Sequence, residues 1–199
     1  FGRALIADPM MPKKLMKNHR EDVRPCLRCN EYCIGRIWNH HTKLGCAVNP
    51  QAMEEVRFKL EKTEDPQIVI GAGPGGMEAA RVAALEGHHV TLFEKEDHLG
   101  GTMGDICTAK FKTNIKQLTK WYQVQLEKLP IDIHLNTTIT GDEELLKTCD
   151  YIIVSTGALP STPAIPGIDG DNVVNIVEAH RNESLIKGNK IVVCGGGAS

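Results

Sequence analysis

A run of glycines at residues 71–76 places the strongest constraint on how this chain folds. The run reads Gly-Ala-Gly-Pro-Gly-Gly and fits the pattern G-x-G-x-x-G. It follows an apolar stretch, Ile68–Ile70, that predicts a buried strand, and it opens a helical pattern that begins near Gly76. A strand that turns into a helix in this way is typical of dinucleotide-binding units, because the helix start presents free N–H groups to a pyrophosphate.

Three glycines of the run have a specific predicted role. We expect Gly71 to form the tight turn, Gly73 to let the backbone approach a pyrophosphate, and Gly76 to allow close packing of helix on strand. The predicted cofactor-binding residues of the run are Gly71, Gly73, Pro74, Gly75 and Gly76.

An acidic residue supports this interpretation. Such units carry a carboxylate about 20 residues after the glycines, at the end of the second strand. Glu94 stands there, followed by Lys95, in the stretch TLFEK. A carboxylate accepts hydrogen bonds from a ribose diol and repels a 2′-phosphate, so FAD or NAD is favoured over NADP at this site. ADP would satisfy the same carboxylate as well as FAD.

Two further glycine-containing stretches favour a flavin dinucleotide. LGGTM closely follows the acid, and we expect Gly101 and Thr102 to approach a second part of a long ligand. STGALPSTPAIPG ends a strand with a turn, and it supplies three more predicted contacts, Thr156, Gly157 and Ala158.

Residues 67–190 alternate strand and helix patterns, which predicts an α/β fold with a parallel sheet. Strands are predicted at HVTLFEK, IDIHLNT and DYIIVSTGA, the last one buried. An amphipathic helix is predicted over FKTNIKQLTKWYQVQLEKL, with one apolar face made of Phe111, Ile115, Leu118, Tyr122 and Leu129. KIVVCGGGAS repeats the strand and glycine turn, which hints at a second nucleotide-binding unit.

Composition excludes several classes of partner. The formal net charge is −2, so the chain lacks the basic excess of proteins that bind nucleic acid or an anionic membrane surface. No apolar run approaches the roughly 18 residues of a membrane span, and the first residues lack the layout of a signal peptide. The chain lacks an initiator Met and stops within a glycine turn, so we expect truncation at both ends.

Four of the seven cysteines crowd into one short segment. Cys26, Cys29, Cys33 and Cys46 have the spacing C-x2-C-x3-C-x12-C, whereas the other three are scattered. This distribution argues against a secreted disulfide framework and favours a metal site in a reducing compartment, which predicts a cytoplasmic protein. Three ligands in one loop and a remote fourth suit a cubane iron–sulfur cluster, and zinc remains the alternative.

Taken in order, these motifs carry a family resemblance. GRALIADP, RPCLRCNEYC, GCAVNP, GAGPGG, EK, LGG and TGALP…IPG resemble the 2,4-dienoyl-CoA reductase and trimethylamine dehydrogenase group of the old yellow enzyme family. The resemblance implies the end of an FMN-binding TIM barrel (1–25), a 4Fe-4S segment (26–50), a linker (51–66), a Rossmann-like FAD- or ADP-binding domain (67–190) and the start of an NAD(P)H-binding domain (191–199).

The resemblance also implies ligands. The 4Fe-4S cluster would be held by the four clustered cysteines. Gly2 and Arg3, placed by the resemblance in the last barrel strand, would help to hold the FMN phosphate.

The function implied is reduction of an activated alkene, an enoate or an enoyl-CoA, with electrons passing from NAD(P)H through FAD and the cluster to FMN. The partners expected are small molecules, with no nucleic acid and no membrane. We expect this chain alone to show no such activity, since a barrel closes only when all its strands are present. An electron-transfer module like that of glutamate synthase-type subunits and a zinc-stabilised nucleotide-binding module are the alternatives. The sequence leaves open the catalytic acid, NADH against NADPH, and the oligomeric state.

Overall fold

The computed structural model describes residues 2–63 and 65–195, which form two compact units. The first unit ends at Gly157 and the second begins at Ala158. The strands of the first unit are β1 (Pro66–Ile70), β2 (His89–Phe93), β3 (Ile131–His134) and β4 (Tyr151–Val154). Its helices are α1 (Gly2–Ala7), α2 (Met11–Met16), α3 (Arg36–His40), α4 (Pro74–Glu86), α5 (Gly101–Asp105) and α6 (Thr113–Glu127).

The four strands form one parallel sheet in the order β3-β2-β1-β4. The register pairs Ile70 with Phe93 on one side and with Val154 on the other. The carboxyl ends of three neighbouring strands therefore lie side by side. The chain leaves β1 toward β2 on one side, while β4 lies on the other, and such a reversal of strand order opens a ligand crevice at the carboxyl edge. The α/β prediction is confirmed.

Helix α4 connects β1 to β2 and packs on both strands. Pro74 occupies its first turn, where a missing N–H costs nothing, and Gly87 ends it with a positive φ of 101°. Its buried side includes Met77, Ala80 and Ala83, which pack around Val69 of β1. The small alanine side chains let the helix lie close to the sheet.

Helix α6 packs against α4 and is amphipathic as predicted. Leu118 and Tyr122 are buried, and so are Trp121 and Leu126, which the predicted face omitted. The predicted place of Phe111 on this apolar face is wrong. It lies before the first helical residue and its side chain is 83% exposed, because the turn at residues 109–112 directs the chain away from the core.

The segment before the sheet also differs from the expected structure. Gly2 and Arg3, which the resemblance placed in the last barrel strand, begin the helix α1 instead. Ala4, Leu5 and Ala7 favour a helix, and the Asp8 N–H continues the helical hydrogen bonding to the Ala4 carbonyl at 2.9 Å. Short 3-10 turns follow at Arg20–Asp22, and a π-helical turn, Glu31–Gly35, leads into α3.

Strand β4 forms as predicted, but its predicted burial is wrong. Tyr151, Ile152 and Val154 are exposed, because β4 is the last strand of the sheet in the described residues, and only Ile153 packs partly buried against the core. None of the described helices combines the length and apolar character that a membrane crossing requires.

The second unit contains the helix α7 (Ile176–Arg181) and a 3-10 turn, Glu183–Leu185. A capping box starts α7, since the Asn175 side chain accepts the Glu178 N–H while the Glu178 carboxylate accepts the Asn175 N–H. Residues 191–195 were predicted to begin a strand but form none. Within the described residues no strand pairs with them, and Val192 and Val193 are exposed. The rest of the predicted glycine turn, 196–199, lies outside the described residues.

Candidate functional site

The predicted glycine turn lies at the carboxyl edge of the sheet, between β1 and α4. Gly71 has a φ of +95°, and a Cβ there would stand 2.5 Å from the Ser155 carbonyl oxygen. A Cβ on Gly76 would stand 1.8 Å from the Gly71 carbonyl oxygen. Both positions therefore require glycine, which agrees with the turn and close packing expected of them.

Gly73 and Gly75 have different surroundings. A Cβ built on either residue meets no atom within 4 Å. The space above them adjoins the start of α4, a helix of 13 residues whose first N–H groups and dipole favour an anion. The turn thus forms an open cradle of backbone beside the helix N–H groups, which suits the approach of a pyrophosphate.

Glu94 directly follows the last residue of β2, and its side chain is buried. One carboxylate oxygen accepts the Ala72 N–H at 2.7 Å, and the other accepts the Glu96 N–H at 3.0 Å. An ionised carboxylate offers about four acceptor positions, so each oxygen keeps an acceptor position for a ribose hydroxyl. The acid that the sequence predicts is therefore fixed directly beside the glycine turn.

The LGG stretch packs on the same turn. The Gly100 N–H donates to the Ala72 carbonyl at 2.9 Å. A Cβ on Gly101 would approach the Gly73 Cα to 3.1 Å. Thr102 is exposed at the start of α5, and Lys95 is exposed beside Glu96. Three of the predicted stretches are thus brought together at this edge, while Lys95 points to solvent.

The end of β4 completes this edge. The Ser155 hydroxyl donates to the carbonyl oxygens of Ile70 and Gly71 at 3.0 and 2.9 Å, which fastens the glycine turn to β4. Thr156 and Gly157 follow and are exposed, and Ala158 begins the second unit. Sequence reasoning missed this role of Ser155, because its partners lie 84 and 85 residues away.

The four clustered cysteines line one concavity. Its wall consists of Cys26, Cys29, Cys33 and Cys46, with Arg3, Ile6, Leu27, Arg28, Asn30, Tyr32, Ala47 and Val48. Each of the seven cysteines is a free thiol. Four thiols converging on one small, largely apolar concavity suit a thiolate-bound metal centre.

Special backbone conformations shape this loop. Arg28 and Asn30 both have left-handed backbones, with φ of 59° and 62°. The Asn30 carbonyl accepts the Gly35 N–H at 2.7 Å, which closes the π-helical turn that carries Cys33. The Gly45 N–H donates to the Tyr32 carbonyl at 2.8 Å and brings the remote Cys46 back to the loop.

The distances between the cysteine sulfur atoms can be compared with those around a single bound zinc ion. In the described residues, the group of three or more metal-type donor atoms lying within 4.8 Å of one another is His19, Glu21 and Asp22, not the cysteines. Four thiolates at about 2.3 Å from one zinc ion would stand about 3.8 Å apart. No three of the four thiols lie within 4.8 Å of one another in the described residues.

Arg24 clamps the cysteine segment to the sheet domain. It is buried, and one guanidinium nitrogen donates to the Val48 carbonyl at 2.7 Å while the other contacts Glu78 of α4 at 3.2 Å. The guanidinium also lies over the Trp121 ring, 4.5 Å from its centre. Residues 24 and 48 flank all four cysteines, so this one side chain closes the loop that carries them.

A second set of contacts joins the segment before the cysteines to α6. Asp22 accepts hydrogen bonds from Lys128 at 2.6 Å and from Gln125 at 2.9 Å, and these bonds lower the pKa of its carboxyl. The Trp121 indole N–H donates to the Asp22 carbonyl at 3.0 Å. Burial, and then the charge of Glu78, raise the pKa of Tyr122 far above its ordinary value. The cysteine segment and α6 therefore share one packed interior.

Comparisons with known proteins agree with this geometry. The family model described as pyridine nucleotide-disulphide oxidoreductase matches residues 65–199, and a second match covers residues 41–147. The chain belongs to this family. Members of this family carry FAD and use NAD(P)H. Residues 65–199 therefore contain an oxidoreductase domain.

Individual relatives show which kinds of enzyme in this family are similar to the chain. The chain is 38% identical to cinnamate reductase of Clostridium sporogenes over 99% of its own length and 29% of that protein. It is 34% identical to NADH oxidase of Thermoanaerobacter brockii over 98% of its length and 31% of that protein. The solved complex of 2-naphthoyl-CoA reductase with 2-naphthoyl-CoA matches with a TM-score of 0.85 and 34% identity, covering 93% of this chain and 28% of that one.

These relatives confirm the resemblance read from the sequence. The chain spans about three tenths of the length of the curated relatives it matches. The assignment of individual residues to cofactors, in both the oxidoreductase domain and the cysteine segment, stays a prediction. The contacts of Arg24 and Ser155 carried no signal in the sequence, because each depends on residues far away along the chain.

Proposed function

We propose that this chain holds FAD, or ADP in its place, at the glycine turn and a 4Fe-4S cluster on Cys26, Cys29, Cys33 and Cys46, within an NAD(P)H-dependent enzyme that reduces an activated alkene. The observation that carries the proposal is the convergence of all four thiols on one concavity. Cys26 and Cys46 also pack on the same hydrophobic core as Leu99 and Met103 of the LGG stretch, in one compact unit with the dinucleotide cradle.

The names of the relatives support the substrate class. Cinnamate is an alkene conjugated to a carboxylate, and 2-naphthoyl-CoA carries conjugated double bonds beside a thioester. We infer the net reaction to be addition of two electrons and two protons across a conjugated C=C bond, with NAD(P)H giving a hydride and solvent the second proton. The carbonyl next to the double bond makes it electron-poor, which suits reduction by a hydride equivalent.

When bound, the flavin would take up the two electrons of a hydride, the cluster would pass them on one at a time, and FMN would collect both for reduction of the alkene. The residues of this chain have binding roles. Glu94 would accept the ribose hydroxyls, the start of α4 would face the pyrophosphate, and the open side of Gly73 would let it approach. The remaining predicted dinucleotide contacts are Gly71, Pro74, Gly75, Gly76, Lys95, Gly101, Thr102, Thr156, Gly157 and Ala158.

The FMN assignment rests on Gly2 and Arg3. Both are exposed at the start of α1, and the Arg3 guanidinium donates to the Asn30 side chain in the cysteine loop. We propose that Arg3 holds the FMN phosphate through the guanidinium N–H groups that Asn30 leaves free. Because metal-bound thiolates need a reducing environment, we propose a cytoplasmic location.

The metal content of the purified protein tests the cysteine site. Protein purified without oxygen should contain about four irons per chain and absorb broadly in the visible region. Stoichiometric zinc without iron, from cells supplied with both metals, would overturn the cluster assignment.

The dinucleotide cradle has its own test. Glu94→Gln should weaken binding of FAD or ADP by about 1–3 kcal/mol, the scale of hydrogen bonds to a charged group. Glu96→Gln, two residues away, is the matched control and should bind as the wild type does. Calorimetric titration with ADP measures both, and equal affinity in the Glu94 variant would mean that the turn is only structural.

The activity is tested on the intact enzyme. We expect it to oxidise NADH or NADPH when given cinnamate or an enoyl-CoA, with one nicotinamide consumed per double bond reduced. Absence of turnover with every conjugated acid and thioester, from protein loaded with flavin and iron, would contradict the proposed substrate class.

A further inference from the structure

Arg28 stands between two of the clustered cysteines in an unusual backbone conformation. Its φ is 59°, in the left-handed region that glycine adopts readily and other residues rarely. A residue held there indicates that the surroundings require it, and the contacts of Arg28 show two reasons.

The first reason is the backbone. The Arg28 N–H points at the Cys26 sulfur, with 3.4 Å between nitrogen and sulfur. Hydrogen bonds to ligand sulfurs are one of the means by which a protein sets the reduction potential of an iron–sulfur cluster. The left-handed turn at residue 28 places this N–H against the sulfur.

The second reason is the side chain. One guanidinium nitrogen donates to the Asn114 side-chain oxygen at 3.0 Å. The Asn114 amide in turn donates to the Cys26 carbonyl at 3.2 Å. Asn114 lies in the first turn of α6, so a ring of hydrogen bonds joins Cys26, Arg28 and the dinucleotide-binding domain. The ring fixes an arginine charge at the wall of the cysteine concavity, which Arg28 lines.

We propose that Arg28 is a positioning residue that raises the reduction potential of the group bound by the four cysteines. The inference rests on the proposed cluster. Four thiolates give the site negative charge, and reduction adds one more electron. A guanidinium held beside the site stabilises the reduced form more than the oxidised form, since attraction grows with the negative charge it faces.

The closing experiment measures the midpoint potential of the cluster in the purified holoprotein, by a redox titration followed by electron paramagnetic resonance. Arg28→Gly removes the charge but keeps the left-handed turn and its N–H. At a fixed ambient potential we expect the ratio of oxidised to reduced cluster to rise about tenfold, which corresponds to about 59 mV for one electron. Iron content should stay at the wild-type value, because glycine suits this backbone.

Two further variants separate the explanations. Arg28→Lys keeps the charge and should remain within about twofold of the wild-type ratio. Arg57→Gln removes an exposed arginine outside the cysteine segment and should change nothing, which controls for net charge. An unchanged potential in Arg28→Gly would overturn the inference, and so would a shift in Arg28→Lys as large as that of the glycine variant.

Failure of the inference is distinguishable from failure of the proposed function. Wild-type protein that binds no iron–sulfur cluster would refute the proposed function. Wild-type protein with its full iron content, but with the same potential after Arg28→Gly, would refute only the role of Arg28.

Discussion

Gly73 and Gly76 stand three residues apart in one motif but serve different purposes. A methyl group on Gly76 would collide with the Gly71 carbonyl at 1.8 Å and with the Ser155 hydroxyl at 2.5 Å, whereas one on Gly73 meets nothing within 4 Å. Gly73 is extended, with φ of −68° and ψ of −179°, so its backbone tolerates alanine. One glycine therefore serves packing, and the other leaves space for a ligand.

This difference gives a matched pair of variants. Gly76→Ala should lower the free energy of unfolding by about 2–4 kcal/mol, because the Gly71 backbone cannot move aside cheaply. Gly73→Ala should change it by less than about 0.5 kcal/mol yet weaken ADP binding, because the methyl group enters the space above the turn. Urea unfolding and calorimetric titration measure the two effects. Equal unfolding free energies for the two variants would contradict the different roles.

Sequence patterns identified these residues because the motif is local. Gly71, Gly76 and Glu94 follow from the order of strand, turn, helix and acid, and the structure places them as that order requires. Ser155 and Arg24 could not be identified in the same way. Their partners depend on which strands and helices become neighbours, and single-residue patterns carry no such information.

At the scale of elements, the cysteine loop depends on contacts at its two ends. Arg24 bonds the Val48 carbonyl and Glu78, and its own N–H donates to the Asp8 carboxylate at 2.9 Å. A buried guanidinium that satisfies several acceptors leaves them unpaired when it is removed. The loop is therefore expected to be closed by the protein itself.

Replacing this guanidinium tests that expectation. Arg24→Gln should lower the free energy of unfolding by about 2–3 kcal/mol, less than the roughly 3–5 kcal/mol of a fully broken buried ion pair, since Arg81 still pairs with Glu78 at 2.8 Å. Cleavage between residues 24 and 48 by a protease should become faster. Arg57→Gln, at an exposed position, is the control. Wild-type stability and protease resistance in the Arg24 variant would show that the loop closes without this clamp.

A pH dependence follows from Asp22, which joins the 3-10 turn Arg20–Asp22 to α6. Hydrogen bonds from Lys128 and Gln125 lower its pKa below the unfolded value of about 3.9. A carboxyl with a lowered folded pKa adds stability above the unfolded pKa, and this contribution is lost as the pH falls through the folded pKa.

Asp22→Asn should therefore cost about 0.5–1 kcal/mol at pH 7 and progressively less below about pH 4, where the wild-type carboxyl also becomes protonated. Urea unfolding of the cluster-free chain at pH 7, 5 and 3 measures the difference. Asp171→Asn, in the second unit, should show no such dependence. A difference that stays constant from pH 7 to pH 3 would mean that the ionised carboxylate is not what stabilises the turn.

The elements were predictable to different degrees. The spacing of apolar residues, and the turn residues that bound each segment, identified α4 and α6 and all four strands of the sheet. The first residues were assigned to a strand through the resemblance, although alanine and leucine favour the helix that forms. The prediction of a strand at residues 191–195 was wrong for a different reason. A strand needs a neighbouring strand to pair with, and the apolar pattern of one segment does not show whether that neighbour exists.

At the scale of the whole chain, the cysteine segment and the dinucleotide-binding unit share one interior. Cys26, Leu27 and Cys46 pack against a core that contains Val69 of β1 and Leu118 of α6. Binding energy at the cysteines is therefore linked to the stability of the sheet domain, because ligation orders residues that are part of its core.

Cys29→Ser removes one predicted ligand from the exposed rim of the concavity. We expect the variant to lose the cluster, and amide hydrogen exchange to rise across residues 20–50 and in the first turn of α6, where Asn114 contacts Cys26. Mass spectrometry of exchanged peptides, with iron analysis of the same samples, measures both effects.

Cys107→Ser supplies the matched control for this last prediction. Its thiol donates to the Gly104 carbonyl at 2.8 Å and does not line the concavity, so the serine variant should keep its iron and its exchange pattern. Two results would contradict the shared-interior account. One is a Cys29 variant that retains four irons, and the other is a Cys29 variant that loses its iron while α6 exchanges as slowly as before. The second result would mean that the cysteine segment orders independently of the domain on which it packs.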